Sequence, residues 1–146
     1  MKTKHFAKLL LLACLSILFA ACEKDFSTHI NTDVILDFSK NSFTIKNITT
    51  GEKITGSDYD VNPEKLTVRN GDVLEYSFNP DSKYENSSFI VEYQLFDSTF
   101  FATTSPYVKN ITVENTAPGE YKTTCKASIE GAEGKMYYAT IEVIAD

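Results

Sequence analysis

The chain has 146 residues, with 20 acidic against 14 basic side chains for a formal charge of −6, 12% aromatic residues and no tryptophan. One domain is the expectation for that length, long enough to bury a core of its own. The acid excess repels phosphate backbones and anionic lipid heads, which excludes nucleic acid as a partner and a second, electrostatic membrane contact.

In chain order, Met1 to Lys8 form a short cationic stretch with Lys2, Lys4 and Lys8 and no acid, followed by the mostly apolar run Leu9 to Ala21. This layout is that of a signal peptide, and the apolar run is too short for a spanning helix, which needs about 20 residues. It ends in Leu18-Phe19-Ala20-Ala21-Cys22, two small residues before a cysteine, and so resembles the lipobox of bacterial lipoproteins. That resemblance implies cleavage before Cys22, thioether diacylation of its sulfur and acylation of the new amino terminus, a set of chains that anchors far better than one. Phe19 departs from the pattern, which usually has a smaller aliphatic residue there. Glu23-Lys24-Asp25-Phe26 resembles the charged start of mature lipoproteins of the Bacteroidetes type, where it is associated with export to the cell surface; a periplasm-facing position is the alternative.

Removing residues 1–21 leaves 125, with 11 basic and 20 acidic side chains and a formal charge of −9. Residues 22–32 are polar and without sustained periodicity, as expected of a lipidated tether. Residues 33–146 are expected to be the single folded domain. No window there keeps a helical apolar spacing, whereas period-two alternation recurs. The predicted inward residues are Val34, Leu36 and Phe38; Leu74, Tyr76 and Phe78; Phe89, Val91, Tyr93 and Leu95; and Tyr121, Thr123, Cys125, Ala127 and Ile129. Turn signals separate these runs at Thr50-Gly51, Asn70-Gly71-Asp72, Asn79-Pro80-Asp81, Ala117-Pro118-Gly119 and Gly131 to Gly134. One wet and one dry face on each of several short strands predicts two antiparallel sheets packed as a sandwich.

The clearest element is the last hairpin, which alternates from Gly119 to Glu130 and returns through Tyr137, Ala139, Ile141 and Val143. It resembles the closing strands of PKD-type and other immunoglobulin-like domains, where Pro-Gly-x-Tyr opens the penultimate strand; Val68 to Leu74 resembles the bend into their second strand. The resemblance implies an all-β, immunoglobulin-like antiparallel β-sandwich of about seven strands. The chain departs from the antibody pattern in having neither the core tryptophan nor an inter-sheet cysteine pair, and from PKD repeats in having Leu95 to Thr99 in place of a Gly-Asp-Gly turn.

With Cys14 in the leader and Cys22 lipidated, Cys125 is alone in the mature domain and alternates with apolar residues, so it reads as a small core side chain. The only mature histidine, His29, lies in the tether, where it cannot serve as a base for Cys125. Asp58, Asp60 and Asn62 carry oxygen ligands at alternate positions and are weak calcium candidates. An EF-hand is excluded because Pro63 stands where glycine is needed and Arg69 where a bidentate acid is needed. A solvated turn is the plainer reading.

Phe100, Tyr107, Tyr137 and Tyr138 are candidate ligand-contact aromatics, since of two adjacent strand residues one must face outward. Their plainer role is as ordinary β-formers. Asp97-Ser98-Thr99 resembles the O-glycosylation acceptor of exported Bacteroidetes proteins, which makes Ser98 a candidate; the Asn-x-Thr/Ser matches at Asn47, Asn86 and Asn110 are read as chance. No nucleophile elbow, zinc-protease motif, phosphate-cradling loop or Cys/His cluster is present, so neither catalysis nor a cofactor is expected. The expectation is a non-catalytic binding or accessory module for a glycan or protein, held at the outer membrane. The alternatives are a structural subunit or spacer of an envelope complex and, more remotely, a hydrolase.

Overall fold

The computed structural model of the protein describes residues 40–130 and 134–146. The expected leader and tether, Cys22 and the predicted inward residues Val34, Leu36 and Phe38 lie outside the described residues, as does most of the expected Gly131 to Gly134 turn. The described chain forms nine strands: β1 (Ser42–Asn47), β2 (Lys53–Thr55), β3 (Lys65–Val68), β4 (Val73–Asn79), β5 (Phe89–Leu95), β6 (Ser98–Ala102), β7 (Tyr107–Thr112), β8 (Gly119–Ile129) and β9 (Lys135–Val143). Among the described residues a short 3-10 turn, Ser82–Tyr84, interrupts an otherwise β architecture.

Two sheets pack face to face. The first has the order β2-β1-β4-β7, and the second β3-β9-β8-β5-β6. Every pairing is antiparallel except β3 with β9, which run parallel from Lys65↔Thr140 to Val68↔Val143. The chain thus starts in one sheet with β1 beside β4 and crosses to the other with β3 beside the last strand, the path of an immunoglobulin-like sandwich. The strand count exceeds the expected seven because short strands such as β2 and β3 bury only Ile54, and Leu66 with Val68, too few alternating positions to stand out in a sequence.

The core is aromatic where antibody-type sandwiches carry a disulfide and a tryptophan. Tyr121, at the start of β8, donates its hydroxyl to the Ala117 carbonyl at 2.7 Å, the arrangement known as a tyrosine corner. Thr123 follows two residues later, where the second cysteine of an antibody domain would stand. The Thr123 hydroxyl donates to the Gln94 carbonyl at 2.6 Å and lies 2.7 Å from the Tyr76 hydroxyl of the facing sheet. The Tyr76 hydroxyl is therefore the donor to Thr123, and a hydrogen bond spans the two sheets in place of a disulfide. Tyr93, on β5, takes the tryptophan's place, with ring centroids 5.5 Å from Tyr76 and 5.9 Å from Phe43.

The turns have local causes. Between β3 and β4 the Asp72 amide bonds back to the Arg69 carbonyl at 3.1 Å, and Gly71 adopts φ 94°, a left-handed conformation that favours glycine. The buried Asp72 carboxylate accepts from Asn47 Nδ2 at 2.7 Å and from the Arg69 amide at 2.9 Å, while Asn47 Oδ1 accepts from Thr49 and Thr50. One shared pair of buried side chains thus closes the β1–β2 and β3–β4 turns together. Phe96 (φ 54°) makes the β5–β6 turn and packs edge-on against Tyr121 at 4.9 Å.

Tyr121→Phe keeps that ring contact and removes only the corner hydrogen bond. A loss of about 1 kcal/mol is expected, measured as a lowered urea midpoint with an unchanged slope.

Candidate functional site

A cleft of about 480 Å³ opens where the connection from β2 to β3 crosses from one sheet to the other. Its walls are Asn41, Thr55, Gly56, Ser57, Asp58, Asn62, Glu64 and Tyr137, a size within the roughly 300–1,000 Å³ of small-ligand sites. Backbone hydrogen bonds pin this connection to both sheets. The Gly56 amide bonds to the Phe43 carbonyl at 2.7 Å, and Ser57 exchanges two bonds with Tyr138 at 2.8 and 2.7 Å. Glycine is required at 56 because a Cβ there would stand 2.3 Å from Phe43 Cδ1.

Side chains complete the loop. Glu64 Oε2 accepts from the Thr55 amide at 2.9 Å, and Ser57 Oγ accepts from the Tyr59 amide at 3.1 Å. Asp58 pairs with Lys135 at 3.4 Å. Asn41, 6% exposed, sits just ahead of β1 and accepts from the Asp81 amide at 2.6 Å through its Oδ1. Its Nδ2 is buried and has no hydrogen-bond partner. A buried donor left unpaired costs about 1–3 kcal/mol, so this amide is an uncompensated group in the wall of a polar cleft. Burial pushes the Tyr137 phenol up to about 12, and the Asn41 amide, near its hydroxyl but outside hydrogen-bond geometry, acts in the opposite direction.

Of the three calcium candidates, Asn62 lines two adjoining depressions, and the two aspartates are divided between them. Asp58 and Asn62 line the cleft, whereas Asp60 pairs with Lys122 at 2.9 Å in an adjoining depression with Lys65 and Glu120. Each aspartate already has an ammonium partner, and the described residues contain no group of three metal-ligating acids, histidines or cysteines.

The aromatic candidates separate as well. Tyr107 and Tyr137, each 4% exposed, are core residues, and Tyr137 also reaches the wall of the cleft. The Tyr107 hydroxyl accepts from the Phe89 amide at 3.0 Å, and both rings pack against Phe78. Phe100 lies opposite Tyr93 in the ladder, hence faces inward and packs on the core; its neighbour Phe101, opposite Glu92, is the exposed one at 53%. Tyr138 is half-buried on the outer face opposite Thr124. Ser98 is exposed at the first position of β6, beside the Phe96-Asp97 turn.

Sequence reasoning missed Asn41 and Ser57, which carry no local signal, and assigned no role to Glu64, at the end of the acidic stretch from Asp58, or to Tyr59, which stands 69% exposed one residue from Asp58. Cys125 is buried as expected, and desolvation drives its thiol far above the ordinary value.

No protein-family model matches the chain. No curated protein matches it either. Among solved structures, the chain is similar to the extracellular domain of a protein described as a hybrid two-component system from B. thetaiotaomicron, at TM-score 0.44 and 16% identity. The match covers 68% of this chain, which spans only 14% of the length of that one.

Proposed function

We propose that the protein is a non-catalytic binding module, held by lipid on Cys22 at the outer membrane and exposed at the cell surface. The observation that carries this reading is the cleft itself: hydrogen-bonding groups of both kinds converge on a space of ligand size. The groups that are strongly shifted are shifted away from reactivity. Burial holds the Cys125 thiol and the Tyr76 and Tyr93 phenols protonated, and a thiol kept neutral in an apolar core is no nucleophile. The lipid anchor rests on Leu18-Phe19-Ala20-Ala21-Cys22, which the described residues do not reach. The PKD-like relationship rests on the Pro118-Gly119-Glu120-Tyr121 start of β8 and belongs to the same proposal.

A second reading, a structural subunit of an envelope complex joined by strand addition, is favoured by β6. This edge strand, Ser98–Ala102, carries no charge, proline or glycine, and it exposes Phe101 next to Ile90 on the neighbouring strand, itself 54% exposed. Such an edge is a template for another strand.

Intact-cell protease shaving with mass spectrometry of the peptide beginning at Cys22 tests the placement. The expected result is a triacylated peptide and a domain cleaved from living cells. An acylated but protected domain would favour the envelope-complex reading, and an unmodified Cys22 would overturn the anchor.

A further inference from the structure

We infer that the cleft between Asn41, Ser57, Asn62 and Glu64 is a binding site for a neutral, hydroxyl-rich ligand, a carbohydrate. The inference rests on the binding-module reading and supplies its ligand class and its residues. The starting point is the Asn41 amide. Its oxygen is held by the Asp81 amide, which fixes the orientation of the side chain and leaves Nδ2 as a buried donor that makes no hydrogen bond, with the Tyr137 hydroxyl nearby but outside hydrogen-bond geometry. A bare cation cannot satisfy it, because an N–H needs an acceptor atom.

The rest of the wall narrows the choice of acceptor. Asp58 and Glu64 bring two carboxylates, of which only Asp58 has a neighbouring ammonium, so a phosphate or carboxylate ligand would meet like charge. A hydroxyl has neither difficulty. It accepts from Asn41 Nδ2 with its oxygen and donates its proton to a carboxylate, and neighbouring hydroxyls on one ring repeat the pattern. Ser57 and Asn62 fit the same scheme. The Ser57 oxygen already accepts from the Tyr59 amide and keeps its own proton to give, while Asn62 offers one donor group and one acceptor.

The cleft is rigid where recognition needs it to be. Ser57 is fixed by two backbone bonds to β9, Glu64 by the Thr55 amide, and Asn41 by Asp81. The exposed ring of Tyr59, adjacent in the chain to Asp58, is the one aromatic of this loop free to lie against a sugar face. Among the strand aromatics, Tyr107 is committed to the core, whereas Tyr137 forms part of the cleft wall.

The test is titration of the lipidated full chain in detergent micelles with maltotriose, cellotriose and N,N′-diacetylchitobiose, followed by NMR on the side-chain amide signals of Asn41 and Asn62. The expected result is a saturable shift of both signals with at least one of these neutral probes, and an affinity lowered about tenfold in Asn41→Asp, which keeps the acceptor for Asp81 and removes the donor. Should Asn41→Asp fail to fold, Ser57→Ala and Asn62→Gly are safer variants. Glycine tolerates the φ of 49° at position 62, and a severalfold loss is expected from each.

Saturable binding that shifts Phe101 and Ile90 instead, and is indifferent to these variants, would overturn the cleft and leave the binding-module reading standing. No shift with any of the three probes, alongside a protein recovered by crosslinking on cells, would overturn the carbohydrate and leave a protein-binding module. No shift and no crosslinked partner would sink both.

Discussion

Tyr93→Ala is expected to remove about 3–5 kcal/mol of stability, the cost of deleting a large buried ring. Against the roughly 5–15 kcal/mol that holds a domain of this size together, that loss brings the fold close to its limit. Tyr93 is fully buried and touches both sheets. Its ring packs edge-on against Tyr76 and alongside Phe43, both from the opposite sheet, and its hydroxyl donates to the Tyr107 carbonyl across the same gap. No disulfide shares the load, because Cys125 is the free cysteine of the described domain. Tyr93→Phe separates the two contributions. It keeps the ring and loses the hydrogen bond, so a cost of about 1–3 kcal/mol is expected. Urea unfolding with both variants gives the comparison, and a Tyr93→Ala loss no greater than that of Tyr93→Phe would show that inter-sheet packing is carried elsewhere.

The second large effect is alkaline unfolding. Burial raises the thiol of Cys125 above its ordinary 9.0 and the phenols of Tyr76, Tyr93 and Tyr137 above their ordinary 10.0. For Tyr93 and Tyr137 the nearby Cys125 adds to the effect of burial. A group whose folded value is raised contributes stability that is complete below its unfolded value and lost as pH climbs towards the folded one. Above pH 9 the unfolded chain releases the Cys125 proton while the native chain keeps it, and above pH 10 the three tyrosines follow. Each group contributes a slope of about 1.4 kcal/mol per pH unit while the two states differ by one proton.

Stability on account of these four groups is therefore level up to pH 9 and falls steeply between pH 10 and 12, where their slopes add. The three buried phenols are expected to ionise in the same step as the loss of the circular-dichroism signal. Cys125→Ala should delay the onset from about pH 9 to about pH 10. Tyrosinate absorbance that rises to completion while the strands remain intact would contradict the assignment of these rings to the core.

Period-two alternation is a strong signal wherever a long strand buries one face. Leu74, Tyr76 and Phe78 on β4 and Phe89 to Leu95 on β5 occupy the inward positions expected of them, as do Thr123, Cys125 and Ala127 on β8 and Tyr137 to Val143 on β9. Tyr121 and Ile129, at the ends of β8, are only half-buried, because a strand that outruns its neighbours leaves its ends less covered. The missing cysteine pair and tryptophan could be read directly, but not their replacement. That Tyr76 and Thr123 meet across 47 positions of sequence depends on how β4 faces β8.

Within the Phe100-Phe101 and Tyr137-Tyr138 pairs, alternation states only that the two members face opposite ways; the ladder register, with Phe100 opposite Tyr93 and Tyr138 opposite Thr124, decides which one is outside. The cleft lies at the far end of that scale. Asn41, Ser57, Glu64 and Tyr137 are near one another because a short bridge ties Ser57 to Tyr138 and because β3 runs parallel to β9. The expected leader and its Ala20-Ala21-Cys22 ending are proposed from sequence alone, since an export signal is a linear segment read before any fold exists. The alternating faces are likewise local, set by the strand's own two-residue period. The inter-sheet core contacts and the cleft were decided by tertiary structure, because hydrogen bonds between distant strands set which side chains share a space and no local pattern encodes that pairing.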